Sequence, residues 1–281
     1  MNKAKSITPL RTPGGKSKVV KRILSNYFPD DFNNFLEPFI GGGSVALFAK
    51  QMFPNKEFYI NDLNKNLYYF WKKLIESPET LIDYLHKVRT NYDNKDIDKG
   101  KELLKTMNNF LQEEGVDELQ KAVAFYVLNK ISFSGLTEHS SLSKSAYEKT
   151  FNHNNIDKLF EVSKVAKDFK ITNLDYEDFI FFNKSDDDFV FLDPPYQIAS
   201  SNLYGKKGDL HAKFNHERFC DVVKSLNCKW MITYNDNEWI REQFKDFNIN
   251  DAEYTYCMSF KTNEDGSKET RKKNELIITN Y

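Results

Sequence analysis

Asp193-Pro194-Pro195-Tyr196 follows the apolar run Phe189-Val190-Phe191-Leu192. Such a run of aromatic and β-branched residues predicts a short buried strand. The two prolines end it, because neither donates to a ladder and each restricts the residue before it. One carboxylate, stiff backbone carbonyls and one aromatic ring are therefore expected on a rigid loop at the carboxyl end of a central strand, where open α/β sheets bind ligands. This set suits methyl transfer to an exocyclic amine, whose lone pair is delocalised into its ring and attacks poorly. The Asp193 carboxylate and the Pro194 carbonyl are two fixed acceptors for the amine hydrogens, and Tyr196 is a stacking surface for the base. Such acceptors stabilise charge where it develops. Alone, the four residues also read as a plain turn, so the rest of the chain decides.

Two upstream stretches would serve a nucleoside-like donor. Phe35 to Ile40, carrying Glu37, is a strand candidate that runs into Gly41-Gly42-Gly43-Ser44 and an apolar helix, Val45 to Phe53. Strand, glycine turn and helix open a nucleotide-binding α/β unit. Phe39-x-Gly41-x-Gly43 is one glycine short of the dinucleotide fingerprint. Glu57 to Asn61 is a second strand, and Asp62 ends it. An acid about 20 residues past the glycines can accept the ribose hydroxyls of an adenosine ligand. The alternative is a helix N-cap before Asn66 to Ile75. Gly15-Lys16-Ser17 invites comparison with a phosphate loop, but Leu10 stands where that motif needs its first glycine.

The elements that must position these residues read as α/β. A chain of 281 residues, 40% apolar and 15% aromatic, can bury one large core, with or without an insertion. After the second strand the parallel pattern stops. Leu81 to Arg89, Lys101 to Glu113 and Leu119 to Asn129 read as helices, and the polar stretch Ile131 to Asn155 as loops. The sheet resumes at Lys170 to Leu174, ending at Asp175, and continues through Phe189 to Leu192 and Lys229 to Tyr234. Helices are expected over Val19 to Tyr27, His216 to Leu226 and Glu238 to Phe244, and a hairpin over Glu253 to Phe260 and Glu275 to Tyr281. The expected organisation is a catalytic domain of residues 1–76 and 169–281 interrupted by a helical insertion, 77–168.

Net charge is −1, yet Lys3 to Arg22 holds seven basic residues and no acid. With Lys206-Lys207 and the cluster Lys268 to Lys273, this distribution fits a phosphate-binding cleft as well as solvated lysines. Cys220, Cys228 and Cys257 show no metal or disulfide spacing, and the five histidines show none for a metal. With no signal peptide or long apolar stretch, a soluble cytoplasmic protein away from the membrane is expected. Asp186-Asp187-Asp188 reads as a solvated turn.

Taken in order, the glycine turn, the acid after the second strand and Asp-Pro-Pro-Tyr resemble the Dam-like (D12 class) adenine-N6 DNA methyltransferases in their alpha motif order. Pro9 to Lys16 looks like the N-terminal motif of that family, and Glu37 to Ser44 is close to its S-adenosyl-L-methionine (AdoMet) motif. Tyr234-Asn235-Asp236 and Glu275 to Tyr281 also match. The resemblance implies a Rossmann-like class I AdoMet-dependent methyltransferase sheet, mostly parallel with a C-terminal antiparallel hairpin. It implies AdoMet as cofactor, with no metal. Thr12, Lys16, Glu37, Phe39, Gly41, Gly43, Ser44, Asp62 and Asp193 fall at its cofactor positions, with Asp62 at the ribose and Asp175 near the adenine. Thr12 stands where relatives often carry an aromatic.

The target adenine would be held by Asp193, Pro194, Pro195 and Tyr196. Duplex DNA would be met by Arg11, Lys130, Phe133, Ser134, Glu138, His139, Lys144, Lys206 and Lys207. Leu128-Asn129-Lys130 through Phe133-Ser134-Gly135-Leu136 resembles the recognition hairpin of the family. Members specific for GATC carry an arginine shortly after that Gly-Leu, suited to guanine; here Thr137-Glu138 follows, and Glu138 would instead accept from a cytosine amine. The target is therefore expected to differ from GATC, in a restriction-modification, phage or orphan enzyme. A cognate restriction endonuclease is a candidate partner, and a monomer or weak dimer is expected. The competing readings are a cytosine-N4 or RNA amino-methyltransferase using the same loop, and a non-catalytic DNA-binding relative.

Overall fold

The runs Phe35-Leu36 and Phe189 to Leu192 have no polar face to show to water, so they belong at the centre of a sheet. In the computed structural model they are neighbours. The structure describes residues 4–22, 24–92, 96–137, 141–196, 214–262 and 268–281, with backbone alone over 253–262 and 268–273. Glu138, His139, Lys206 and Lys207 lie outside the described residues.

Strands β1 (Asn34–Glu37), β2 (Glu57–Asn61), β3 (Phe169–Thr172), β4 (Phe189–Leu192) and β5 (Lys229–Asn235) pair in parallel, and β6 (Asn248–Thr262) and β7 (Lys268–Thr279) add an antiparallel edge. The order across the sheet is β3-β2-β1-β4-β5-β7-β6. The chain winds outward from β1 to β3, then returns to place β4 on the other side of β1. The gap between the carboxyl ends of β1 and β4 is thus the topological switch point, where such sheets bind ligands. The glycine turn follows β1 and Asp193 follows β4.

Alternate strand residues face opposite sides. Phe35, Phe189 and Phe191 point into one core with α1 (Ser44–Met52), α2 (Lys65–Glu76), α3 (Pro78–Asn91), α4 (Ile97–Gln112), α5 (Glu118–Ile131) and α7 (His153–Ala166). Leu36, Val190 and Leu192 point into the other, with α8 (Tyr176–Asn183), α9 (His216–Lys224) and α10 (Glu238–Gln243). Every residue of α5 from Ala122 to Ile131 is buried, as an all-round apolar helix requires. Phe70 of α2 stacks on Tyr126 of α5 at 5.7 Å between centroids. Residues 77–168 therefore share their core with the sheet.

Several sequence expectations shift. The polar stretch read as loops contains α6 (Lys144–Lys149) and the start of α7. Its polar residues are caps: the Ser143 side chain accepts from Ala146 N and Asn152 from Asn155 N. Instead of one helix over Val19 to Tyr27 there are two 3₁₀ turns, Lys16–Lys18 and Leu24–Tyr27, the first without a side-chain cap. Helix α8 was not foreseen. Asp188 is not solvated. It is fully buried and accepts from Asn34 N, Asn34 Nδ2 and Ser185 N, tying the start of β1 to β4.

Candidate active site

The chain leaves β1 through Pro38 and turns into α1 with Gly41 at φ +48° and Gly43 at φ +68°, a region that favours glycine. The two glycines answer to different needs. A Cβ on Gly43 would lie 2.4 Å from Trp71 Cζ2. That indole donates from Nε1 to Gly41 O at 3.0 Å and so props the turn from beneath. A Cβ on Gly41 would meet no atom within 4 Å. Room for a ligand is the reason for Gly41, and indole packing the reason for Gly43. Glu37 Oε2 accepts from Ala46 N at 2.9 Å, doing from the strand the capping that Gly43 has no side chain to do. Burial, then the nearby Asp193, raises its carboxyl well above the usual range. Ser44 opens α1 and is buried.

Asp62 does not cap α2; Asn64 does, accepting from Asn66 N and Leu67 N. Asp62 Oδ2 accepts from Gly41 N and Oδ1 from Asn64 N, both at 3.0 Å. The acid after β2 is thus bonded to the glycine turn after β1. Burial pushes its carboxyl up to about 6.

Asp193 sits in a network drawn from four parts of the chain. Lys16 Nζ donates to both carboxylate oxygens at 2.8 Å, to Tyr196 Oη at 2.7 Å and to Gly14 O at 3.1 Å. Leu192 pairs with Ile232, which sets Thr233 beside Asp193, and Thr233 Oγ1 donates to Asp193 Oδ1 at 2.8 Å. Tyr196 Oη lies 3.0 Å from the same oxygen. Glu275 of β7 places Oε2 3.8 Å from Lys16 Nζ. The Lys16 side chain is 2% exposed and that of Asp193 23%, so the carboxylate is reachable and its cation is not. Burial alone would lower the Lys16 ammonium, but Asp193, Glu275 and Glu37 hold it above its ordinary value. Tyr196 lies 5.5 Å from the ring of Tyr234.

Asp175 caps α8 through Glu177 N and takes two guanidinium bonds from Arg218, at 2.7 and 3.3 Å. Phe39 packs among Tyr176, Phe214 and Phe219 on the same flank. The N-terminal segment crosses the glycine turn: Thr8 Oγ1 donates to Gly42 O at 2.6 Å, and a Cβ on Gly42 would stand 3.0 Å from Thr12 Oγ1.

The expected DNA contacts divide. Phe133 is 63% exposed, on a 3₁₀ turn where Ser134 adopts φ +57°. Lys144 is exposed at the start of α6. Ser132 bridges Leu142, forming the neck of a hairpin. Lys130, expected to face DNA, is instead 8% exposed and donates from Nζ to Pro9 O at 2.7 Å. Burial, then Arg11, lowers its ammonium to about 7. Arg11 Nη1 donates to the carbonyls of Lys130 and Ser132 at the end of α5. In this conformation Lys130 and that arm of Arg11 join the N-terminal segment to α5.

Sequence reasoning missed Thr233 and Trp71, and assigned no role of their own to Asn129 and Glu275. Thr233 is the one aliphatic hydroxyl inside the apolar run Trp230 to Tyr234, and a buried hydroxyl needs a partner; that signal was available. Among the described residues, no group of three or more His, Cys, Asp or Glu is arranged to hold a metal, and no helix is long and apolar enough to cross a membrane.

A carboxylate loop at the switch point, beside a glycine turn tied to an acid, is an arrangement suited to bringing an amine up to a nucleoside-like donor. The class so defined is the α/β methyltransferases that act on amino groups. Within that class, residues 13–258 match the D12 class N6 adenine-specific DNA methyltransferases, and the chain belongs to that family. It is 30% identical over 95% of its length to Type II methyltransferase M1.LlaDCHI of Lactococcus lactis subsp. cremoris, of which it covers 93%. It is 25% identical to Type II methyltransferase M.MjaIII of Methanocaldococcus jannaschii, with 97% of this chain and 98% of that one aligned. It is 26% identical to Type II methyltransferase M.CviBI of Paramecium bursaria Chlorella virus NC1A, over 95% and 97% of the two chains. The chain is thus an adenine-specific DNA methyltransferase, and membership implies AdoMet as methyl donor. The residues fit that group. Gly41 presents an open face, and the acids Asp62, Asp193 and Glu275 outnumber Lys16, an excess that suits a sulfonium.

Proposed function

We propose that this protein is a site-specific modification enzyme that methylates N6 of an adenine flipped out of duplex DNA, at a sequence other than GATC. The observation that carries the reading is the bonding of Asp193. Oδ1 takes bonds from Lys16, Thr233 and Tyr196, whereas Oδ2 takes one, from Lys16. Oδ2 is the oxygen with capacity left for an amine hydrogen.

A stacked adenine cannot bring N6 to this loop, so the base leaves the helix. Asp193 Oδ2 and the Pro194 carbonyl accept its two amine hydrogens, and Tyr196 stacks on the ring. Lys16 holds the Asp193 carboxylate in place while N6 attacks and gains positive charge, the moment at which a fixed carboxylate helps most. The surplus proton then leaves N6 for water. AdoMet, when bound, supplies the electrophilic methyl. Asp62 would hold its ribose hydroxyls. Thr12, Lys16, Glu37, Phe39, Gly41, Gly43, Ser44 and Asp175 would line the rest of its site.

On the DNA side, exposed Phe133 on its positive-φ turn suits wedging beside a base step. Lys144 and the lysines 206 and 207 suit phosphates. Thr137-Glu138, where GATC-specific members carry an arginine, supports a different target. The names of the type II relatives favour a restriction-modification setting; a cognate endonuclease as partner and a monomer or weak dimer as the working form complete the proposal. The test is incubation with isotopically labelled AdoMet and duplex DNA, followed by nucleoside analysis. Label in N6-methyldeoxyadenosine is expected. Label in N4-methyldeoxycytidine, or in RNA but not DNA, would overturn the reading.

A further inference from the structure

The N-terminal segment 8–16 touches three places that a methyltransferase must coordinate. Thr8 Oγ1 bonds Gly42 O of the cofactor turn, and Lys16 Nζ bonds Asp193. Between them, Arg11 is clasped by Asn129 of α5. Arg11 N donates to Asn129 Oδ1 at 2.9 Å, and Asn129 Nδ2 donates to Arg11 O at 2.8 Å. The same Nδ2 donates to Gly135 O at 2.9 Å. Its two hydrogens thus join the segment to the 133–135 turn that displays Phe133.

The joint is buried and close-fitting. Asn129 is 2% exposed, Lys130 Nζ adds its bond to Pro9 O, and a Cβ on Gly135 would fall 2.2 Å from Arg11 O. Separating the turn from the segment would leave buried donors and acceptors unmatched, which is costly. The two therefore move as one body. Any force on the Phe133 turn reaches the glycine turn through Thr8 and the catalytic carboxylate through Lys16.

We propose that Asn129 is a positioning residue that couples DNA engagement to cofactor binding. It touches neither ligand and acts through the 8–16 segment. The inference rests on the proposed function, in which DNA meets the 133–135 turn and AdoMet the glycine turn.

The test measures coupling rather than activity. S-adenosylhomocysteine, which occupies the cofactor site without turnover, is titrated into the full-length protein with and without a short duplex. The duplex carries the context in which this enzyme methylates DNA. In wild type, the duplex is expected to tighten S-adenosylhomocysteine at least about fivefold, the lower end of usual coupling. In Asn129→Ala that factor should fall below about twofold, while binding without DNA stays within about threefold of wild type. A purely structural defect would instead weaken DNA-free binding and leave the ratio alone. Lys130→Met, which keeps most of the buried volume while removing the Pro9 bond and the ammonium over the Tyr126 ring, should lower the ratio in the same direction, and it decides the matter if Asn129→Ala does not fold. Full coupling in these variants, or none in a wild type that binds both ligands, would overturn the inference. A wild type that bound neither would instead overturn the proposed function beneath it.

Discussion

The Asp193 carboxylate is held from two sides, by Lys16 at 2.8 Å and by Thr233 at 2.8 Å, while 23% of its side chain stays exposed. Removing its charge with shape retained should cost most of the rate. Asp193→Asn is expected to lower methylation about 10²- to 10³-fold, as loss of a preorganised electrostatic group does, with S-adenosylhomocysteine binding within about threefold. Thr233→Val should lower kcat about tenfold, the scale of one hydrogen bond to a charged group, with the KM for AdoMet little changed; steady-state kinetics reads both. Asp62 carries a pH signature. Its carboxyl is raised to about 6, so the ionised form proposed to accept ribose hydroxyls is lost below that value. Cofactor affinity should fall as pH drops through about 6, and Asp62→Asn should bind more weakly and lose that inflection. Asp193, Gly41 and Asp62 were legible in the sequence because each stands just past an apolar run. Lys16 and Asp193 are 177 residues apart. Their pairing, like that of Asn129 with Arg11, is set by packing that no local pattern displays.

At the scale of elements, the glycine turn makes a paired prediction. Gly43→Ala forces a methyl into Trp71 at positive φ, so stability should fall by about 2–4 kcal/mol. Gly41→Ala meets no neighbour, so it should cost about 1–2 kcal/mol of backbone strain and mainly impair cofactor binding. Urea unfolding and S-adenosylhomocysteine titration separate the two. The joint between α5 and the N-terminal segment makes another. Folding lowers the Lys130 ammonium to about 7 from its usual 10.5. Between those values the unfolded chain binds more protons, so stability should rise with pH there. That rise should be smaller in Lys130→Met, seen as converging or crossing stabilities in urea melts from pH 7 to 10. The strands and the major helices followed from periodicity. Helices α6, α7 and α8 did not, since their starts are marked by Ser143, Asn152 and Asp175, polar residues that read equally as loop.

The whole molecule is a sheet with its reactive groups gathered at one switch point and its expected recognition surface carried by helices that share the sheet's core. Burial of α5 ties the Phe133 turn to the body that carries Asp193, so under the proposed function base reading and methyl transfer would share one rigid frame. DNA binding through exposed lysines should weaken linearly in log K against log salt, which fluorescence anisotropy at several salt concentrations would show. The most direct measurement is sequencing that reads modified bases in DNA from cells expressing either wild type or Asp193→Ala. The expected result is N6-methyladenine in one context other than GATC with wild type, and none with Asp193→Ala. Methylation that persists in Asp193→Ala, or that falls on cytosine N4, would contradict a mechanism centred on this loop.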